Sequence, residues 1–396
     1  MAEPITCIAD LRELARRRVP RAFFEYVDRG SYQELTLQAN NAALEAIYLR
    51  QRVMVDVDSR SLATTLLGQS AALPLAIAPT GLAGLQCGSG EILGARAAQA
   101  AGIPFCLSTM SICSLEQVHA AVNDPFWFQV YVMRDRGFTR ELIQRAAAVR
   151  CSALMVTADL TIQGQRHRDI KNGLSVPPKW TGRNLADILS KPRWAWNISR
   201  APSWSFGNLA GRIGGMDSLS TLSQWIAKQF DPTLTWRDIE WLRALWPGKL
   251  ILKGILDVDD ARLAAASGVD AIVVSNHGGR QLDGAPASVQ VLPRIVDALD
   301  GRIEVLFDGG ITTGQSLLKA LALGARAGLI GKAFLYGLGA LGGPGVSRAI
   351  EILRRELDVS MALTGQRDAR SITRDILLDR EGATYWKTIK EGGLNQ

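Results

Sequence analysis

Eight short apolar runs, each followed by a helical stretch and none by a hairpin turn, predict an α/β chain whose parallel sheet closes into a (β/α)8 TIM barrel. The runs are LPLAIAP (73–79), PFCLS (104–108), FWFQVYV (126–132), ALMVTAD (153–159), KLILKG (249–254), DAIVVSN (270–276), EVLFDGG (304–310) and GLIGK (328–332). Each is apolar without alternation, as a strand covered on both faces must be. Ala/Leu/Arg/Glu-rich stretches such as GEILGARAAQAA and DDARLAAASG separate them. The pattern by itself also admits an open, doubly wound sheet. A second regularity favours closure: polar residues gather at the C-terminal end of nearly every run, namely Thr80, Ser108, Gln129 with Tyr131, Thr157 with Asp159, Lys253, His277 with Arg280, and Asp308. In a barrel those ends converge on one mouth, where an active site lies.

Taken in order, residues 1–70 read as a helical region (IADLRELARRRV and YQELTLQANNAALEAI) that caps or flanks the barrel of residues 71–380. The whole chain, 1–396, forms a single domain. Residues 61–90 carry no charge, but Pro74, Pro79, Gln69, Gln86 and glycines interrupt them, so no 20-residue apolar helix fits. A buried strand and a Gly-rich loop account for the stretch. Residues 171–235 interrupt the fourth strand–helix unit as a long insertion with little periodicity, and such loops are commonly functional or disordered.

The chain has 396 residues, 47% of them hydrophobic and 21% charged, the balance of a soluble globular enzyme. Cys7, Cys87, Cys106, Cys113 and Cys151 lack C-x-x-C spacing and sit among apolar neighbours, so they read as reduced core thiols. No cluster of His and Cys has metal-ligand spacing, and MAEPITCIADLREL contains no apolar signal segment. The net charge of +7 is concentrated: residues 171–212 hold seven basic residues against Asp187 alone, together with Trp180, Trp194, Trp196 and Trp204.

The strand-end residues form a chemical set. SNHGGRQLDG, from Ser275 to Gly284, follows an apolar strand and presents His277, one of three histidines, beside two glycines and Arg280. A turn accounts for the glycines but needs neither an imidazole nor a guanidinium. His277 is a candidate general base, and Asp159 a partner able to fix its tautomer. Arg166 and Arg280 offer forks for a carboxylate, and Tyr26 and Tyr131 hydroxyls for a substrate oxygen. Lys253 suits an anion developing on a bound cofactor. DGGITTG and GLIGKAF each precede a helix, where backbone N–H groups hold phosphate. Singly, each residue has a plain structural role: helix cap, solvent-facing lysine, core tyrosine. Together they point to a phosphorylated cofactor and an acid substrate.

SNHGGRQLDG, with WFQVYV, TADLTIQGQRHRD, LILKGI and LFDGGI, resembles the FMN-dependent L-2-hydroxy acid dehydrogenase/oxidase family. The likeness runs from RRRVPRAFFEYVDRG to MALTGQRDARSI. DRGFTREL, KPRWAWNI and QFDPTLTWRDIEWLR make it most similar to the bacterial membrane-associated L-lactate dehydrogenases. The resemblance implies FMN as cofactor, with His277 as base, oriented by Asp159. It places Arg166, Arg280 and Tyr26 on the substrate carboxylate and Tyr131 on the 2-hydroxyl. Around the flavin it sets backbone at Pro79, Thr80 and Gly81, with Ser108, Gln129, Thr157, Lys253 and Ser275; Asp308, Gly309, Gly310, Thr312, Gly331 and Lys332 form the phosphate loops. Positions 312 and 332 depart from the family, which commonly has arginine at both. Gly81 stands where the family's oxidases tend to have Ala, and Met110 where a specificity side chain varies.

The expected activity is oxidation of an L-2-hydroxy acid, L-lactate to pyruvate, with electrons passed to a membrane quinone-type acceptor. The alternatives are an (S)-mandelate or other aryl 2-hydroxy acid dehydrogenase, an oxidase that uses O2, or a non-catalytic basic barrel. Basic residues among tryptophans in the insertion suit an anionic membrane surface, on the cytoplasmic side of the inner membrane, better than nucleic acid; a solvated lid is the rival reading. The resemblance also implies a homotetramer.

Overall fold

The computed structural model describes residues 4–174, 181–209 and 228–379. Eight parallel strands form its centre: β1 (Leu75–Ile77), β2 (Cys106–Ser108), β3 (Trp127–Val130), β4 (Ala153–Thr157), β5 (Lys249–Ile255), β6 (Ala271–Val274), β7 (Glu304–Phe307) and β8 (Ala327–Ile330). Each pairs with its neighbour in sequence, and β8 returns to pair with β1. Between β1 and β2 a single bridge, Ile77 to Phe105, closes the ring, with the Ile77 N–H donating to Pro104 O at 2.9 Å. The sheet is therefore a closed barrel and not the open alternative.

Strand period fixes what each residue faces. Ala76, Cys106, Trp127, Met155, Ile251, Val273, Leu306 and Leu329 fill the barrel, all at 2% exposure or less. Their neighbours, among them Ile77, Phe128, Leu154, Leu252, Ile272 and Phe307, point outward into the larger core beneath the helices. Two positions beyond most of the inward residues the same parity gives Ser108, Gln129, Thr157, Lys253, Ser275, Asp308 and Gly331. The polar strand ends are the top layer of the barrel core, continued to the mouth.

The floor is a hairpin that the apolar-run pattern does not show. Thr64–Leu66 pairs antiparallel with Gln69–Ala71, and its turn uses left-handed Leu67 (φ 51°) and Gly68 (φ 81°). Leu66, Leu67 and Ala71 join the barrel interior from below, and the Leu67 N–H donates to the Glu304 carboxylate. In the expected N-terminal helical region, helices cover Ile8–Arg18, Arg21–Asp28 and Leu35–Glu45. The second and third of these supply Tyr26, Arg29 and Asn40 to the cavity at the mouth.

The insertion differs from the expected aperiodic loop. Gly182–Leu189 and Pro192–Ser199 are helices, the first capped by Thr181 and the second begun by a proline, whose fixed φ suits a first turn. Trp180, Lys179 and Arg212 lie outside the described residues. Of the five cysteines, Cys106, Cys113 and Cys151 are buried as expected, whereas Cys7 and Cys87 are partly exposed.

The loop after β7 is held against the helix Gly343–Leu363. A Cβ on Gly314 would lie 2.1 Å from the Leu357 nitrogen, and the Gly314 N–H donates to Glu356 at 2.7 Å. Gly314→Ala should therefore destabilise the protein by about 1–3 kcal/mol or more, as overpacking against backbone does. Thermal unfolding should show a fall of several degrees; an unchanged midpoint would mean the two helices are free to part.

Candidate active site

β6 runs out of apolar residues at Val274, and the chain must turn over the barrel mouth. It does so through three consecutive left-handed residues, His277 (φ 59°), Gly278 (φ 65°) and Gly279 (φ 72°). Gly279 has no alternative, since a Cβ there would come 2.5 Å from the Leu37 nitrogen. For histidine this backbone costs about 1–3 kcal/mol, a strain typical of functional turns. The Ser275 hydroxyl accepts the His277 N–H at 3.0 Å and offsets part of it.

The turn brings His277 Nδ1 to 3.1 and 3.2 Å from the two oxygens of Asp159, two residues past the end of β4. Burial pushes the Asp159 carboxyl up, but His277 and Lys253 outweigh it and hold the group below its ordinary range. An ionised carboxylate there takes the Nδ1 proton as a hydrogen bond, which leaves Nε2 as the basic atom. Two further residues make the approach possible. Gly254 (φ 102°) has no side chain because a Cβ would sit 2.6 Å from Asp159 Cβ and Cγ, and Gln281 Nε2 donates to Asp159 O at 2.7 Å. Both are local to expected motifs, yet only the fold gives their reason.

Arg166 and Arg280 stand together. Arg166 Nε donates to Arg280 O at 3.2 Å, and the Arg280 guanidinium lies 4.7 Å over the Tyr26 ring. Its Nη1 is bonded to the Tyr26 and Arg29 carbonyls. Neither guanidinium has an ion-pair partner among the described residues, although Arg166 is only 8% exposed. Burial and Arg166 push the Arg280 group down, and burial pushes Asp169 nearby up. Two enclosed cations with no ion-paired carboxylate among the described residues, and the Asp169 charge acting on both from nearby, form a candidate anion site. Tyr131, edge-on to Phe230 at 5.7 Å, lines the same space, and burial with Tyr26 and Asp159 pushes its hydroxyl up, so it stays a proton donor.

Toward the opposite wall, Lys253 is 4% exposed, with Nζ 2.5 Å from Asp308 Oδ2 and 2.7 Å from Ser275 Oγ. Its charge is thus shared with a carboxylate. Ser108 Oγ donates to Gln129 Oε1 at 3.0 Å. Gln129 Nε2 and Asp308 Oδ1 are buried without a partner among the described residues, a costly state that a bound group with carbonyl and N–H edges relieves. A flavin ring has both. Gly309 (φ 103°) and Gly310 (φ 100°) lead to Thr312 and to Thr313, whose hydroxyl caps the helix Gly314–Ala322. Gly331 caps the helix Lys332–Leu341. Two helix N-termini therefore open here, although at the first the Gly314 and Ser316 N–H groups are already bonded to Glu356 and Thr313. Lys332 Nζ donates to Asp28 O at 2.9 Å, and burial with Arg280 pushes its ammonium down to about 7.

One cavity of about 1120 Å³ is lined by Tyr26, Pro79, Thr80, Gly81, Tyr131, Arg166, Lys253, His277, Arg280, Asp308, Gly309, Gly310, Thr312, Gly331 and Lys332. Ser108, Gln129, Thr157, Asp159 and Ser275 are not on its lining; Asp159 and Ser275 touch the lining residues His277 and Lys253 from behind. A Cβ on Gly81 would meet Met110 Cβ at 3.2 Å and the Tyr26 hydroxyl at 3.8 Å, so residue 81 sets the spacing of that wall. The residues present fit FMN: unpaired amide chemistry at the strand ends, cations and helix N-termini beyond.

A family model described as FMN-dependent dehydrogenase matches residues 15–379. An L-lactate dehydrogenase of Caulobacter vibrioides is 46% identical over 377 residues, covering 95% of this chain and 98% of the relative. One of Ectopseudomonas mendocina is 42% identical over 375 residues, covering 94% and 99%. The solved structure of a monotopic membrane protein, (S)-mandelate dehydrogenase, aligns with a TM-score of 0.91 at 34% identity and covers 96% of this chain and all of that one (100%).

The unpaired arginines can be tested directly with a small dicarboxylate. Arg280→Met should weaken oxalate binding by roughly 10–100-fold, the loss of a charged hydrogen-bonded contact of about 1.5–3 kcal/mol. Titration calorimetry measures it; equal affinity in the variant would remove Arg280 from the anion site.

Proposed function

The chain belongs to the FMN-dependent dehydrogenase family, and from that premise we propose that it oxidises L-lactate to pyruvate and passes the electrons to a quinone-type acceptor at a membrane surface. The observation that carries the reading is a pair of enclosed arginines with no ion-paired carboxylate among the described residues, in the same cavity as a histidine whose Nδ1 is fixed by a carboxylate. A 2-hydroxy carboxylate supplies both complements, an anion for the arginines and a proton for His277.

In this reading Arg166 and Arg280 grip the substrate carboxylate, and the Tyr26 and Tyr131 hydroxyls bond its oxygens. His277 Nε2 takes a proton, and Asp159 stabilises the imidazolium without itself becoming protonated. Gln129, Ser108, Thr157, Ser275, Lys253 and the backbone of Pro79–Gly81 would hold the flavin ring; Asp308–Thr312, Gly331 and Lys332 would hold its phosphate end. FMN supplies the electron sink that the side chains lack. Met110, flexible and apolar beside Gly81, accommodates the substrate methyl.

The insertion supports the surface part of the proposal. Leu185, Leu189, Trp196 and Trp204 are 57–72% exposed on or beside the two described helices, among Arg183, Lys191, Arg193 and Arg200. Arg200 stacks on Trp196 at 4.1 Å. Trp194 departs from the expected surface role: it stacks on Phe23 at 5.3 Å and donates to Leu85 O, so it anchors the insertion to the body. No helix among the described residues is long and apolar enough to cross a membrane. We propose a peripheral protein on the cytoplasmic face of the inner membrane, and a homotetramer.

His277→Ala should retain bound FMN yet reduce it with L-lactate about 10²–10⁴-fold more slowly. Stopped-flow bleaching of the flavin reads this out, and a wild-type rate would sink the base assignment. Faster bleaching by L-mandelate than by L-lactate in the unmodified enzyme would favour the aryl substrate.

At the surface, basic residues near anionic lipid contribute about 1 kcal/mol each. Binding to anionic vesicles should weaken with salt without vanishing, because the indoles and leucines remain. Leu189→Glu with Trp196→Glu should release the protein in co-sedimentation while flavin reduction persists. Wild type left in the supernatant at low salt would make the insertion a lid.

A further inference from the structure

The phosphate end of the cavity has an unexpected charge distribution. Thr312 is neutral, and Thr313 uses its hydroxyl on its own helix, accepting the Ser316 N–H at 3.0 Å. A dianionic phosphate here would meet helix N-termini and Lys332, a point charge without a fork. The same cavity is also lined by Arg29, at the C-terminal end of the helix Arg21–Asp28. Arg29 follows Asp28 directly, and it is the Asp28 carbonyl that receives Lys332 Nζ at 2.9 Å.

Arg29 is poorly satisfied. Its Nε is buried with no hydrogen-bond partner among the described residues. Nη1 reaches Glu34 Oε2 at 3.3 Å, and Nε is 3.9 Å from Asp28 Oδ2. That aspartate is already committed, accepting from Arg12 Nε at 2.6 Å, Arg12 Nη2 at 2.8 Å and the Tyr336 hydroxyl at 2.8 Å. Burial pushes the Asp28 carboxyl up, and Arg12 and Tyr336 hold it below its ordinary value all the same. Glu34 is left as the acid facing Arg29, and it also accepts the Gly30 N–H. An unmade bond to a buried guanidinium nitrogen costs about 1–3 kcal/mol, and an incoming phosphate oxygen removes that cost. Lys332, pushed down to about 7 by burial and by Arg280, likewise gains from an anion beside it.

We propose that Arg29, together with Lys332, holds the phosphate of FMN in this chain and supplies the fork that Thr312 lacks. The inference rests on the placement of the cofactor's phosphate end at the loops after β7 and β8. Arg29 then exchanges its 3.3 Å contact with Glu34 for a phosphate oxygen.

The test compares FMN with riboflavin, which has the same ring and no phosphate. Deflavinated protein is titrated with each, and quenching of flavin fluorescence gives the two dissociation constants. Wild type should prefer FMN by about 100-fold or more, as two charge-assisted contacts require. Arg29→Gln and Lys332→Gln should each lower that preference roughly 10-fold while leaving riboflavin affinity unchanged, which also shows that the ring site is folded. Arg29→Lys should fall between, since it keeps the charge and loses the fork. If Arg29→Gln keeps the wild-type preference while Lys332→Gln loses it, the assignment of Arg29 is wrong and the phosphate placement stands. A wild type that binds both flavins equally, or a Lys332→Gln variant with undiminished preference, overturns the placement and the assignment together.

Discussion

Asp159 opposite His277 ties the end of the fourth strand to the end of the sixth across the fifth, and it does so over a residue that has no side chain. Any Cβ at position 254 would occupy the space of the Asp159 carboxylate. The strained backbone at 277–279, the Ser275 hydroxyl beneath it and Gln281 on the Asp159 carbonyl all serve that one contact. Without it the imidazole would have no fixed tautomer beside the two arginines.

The cations of the mouth are held in an unusual manner. Arg280 and Lys332 bond main-chain carbonyls of the helix Arg21–Asp28 and the residue after it, whereas Lys253 has the Asp308 carboxylate close by. Carbonyl oxygens orient a cation while leaving its charge largely available, whereas a carboxylate cancels it. The wall at Arg280 therefore keeps positive charge, which burial reduces at Lys332, and the Lys253–Asp308 wall is closer to neutral. The polarity of the cavity follows from which acceptor each cation was given.

Much of this was readable in the sequence because a parallel barrel strand is apolar on both faces, so a polar residue at its end stands out. His277, Arg280, Lys253 and Asp308 are visible on that ground alone. The inward parity that continues from Met155 to Thr157 and from Val273 to Ser275 was also present in the letters. Other features depend on contacts between distant segments and leave no local trace. Gly254 reads as an ordinary glycine until Asp159 is placed beside it. Arg29 and Lys332 are about three hundred residues apart in the chain and share one cavity. The hairpin at 64–71 hid within an uncharged stretch, and the two helices among the insertion's described residues are too short for a periodic signal. Trp194 looked like its neighbours because composition does not tell which way a ring turns.

The helix Arg21–Asp28 leaves the ribosome about 250 to 300 residues ahead of the partners its carbonyls meet. Its carbonyls await residues 280 and 332, which at about 5–20 residues per second are made roughly ten seconds to a minute later. Phe23, Phe24 and Val27, each at 6% exposure or less in the finished protein, have no barrel to cover them in that interval. The mouth is thus completed by a segment made long before the residues it holds. A nascent chain interrupted before the eighth strand would display that apolar face, ready for a chaperone or for another chain in the same condition.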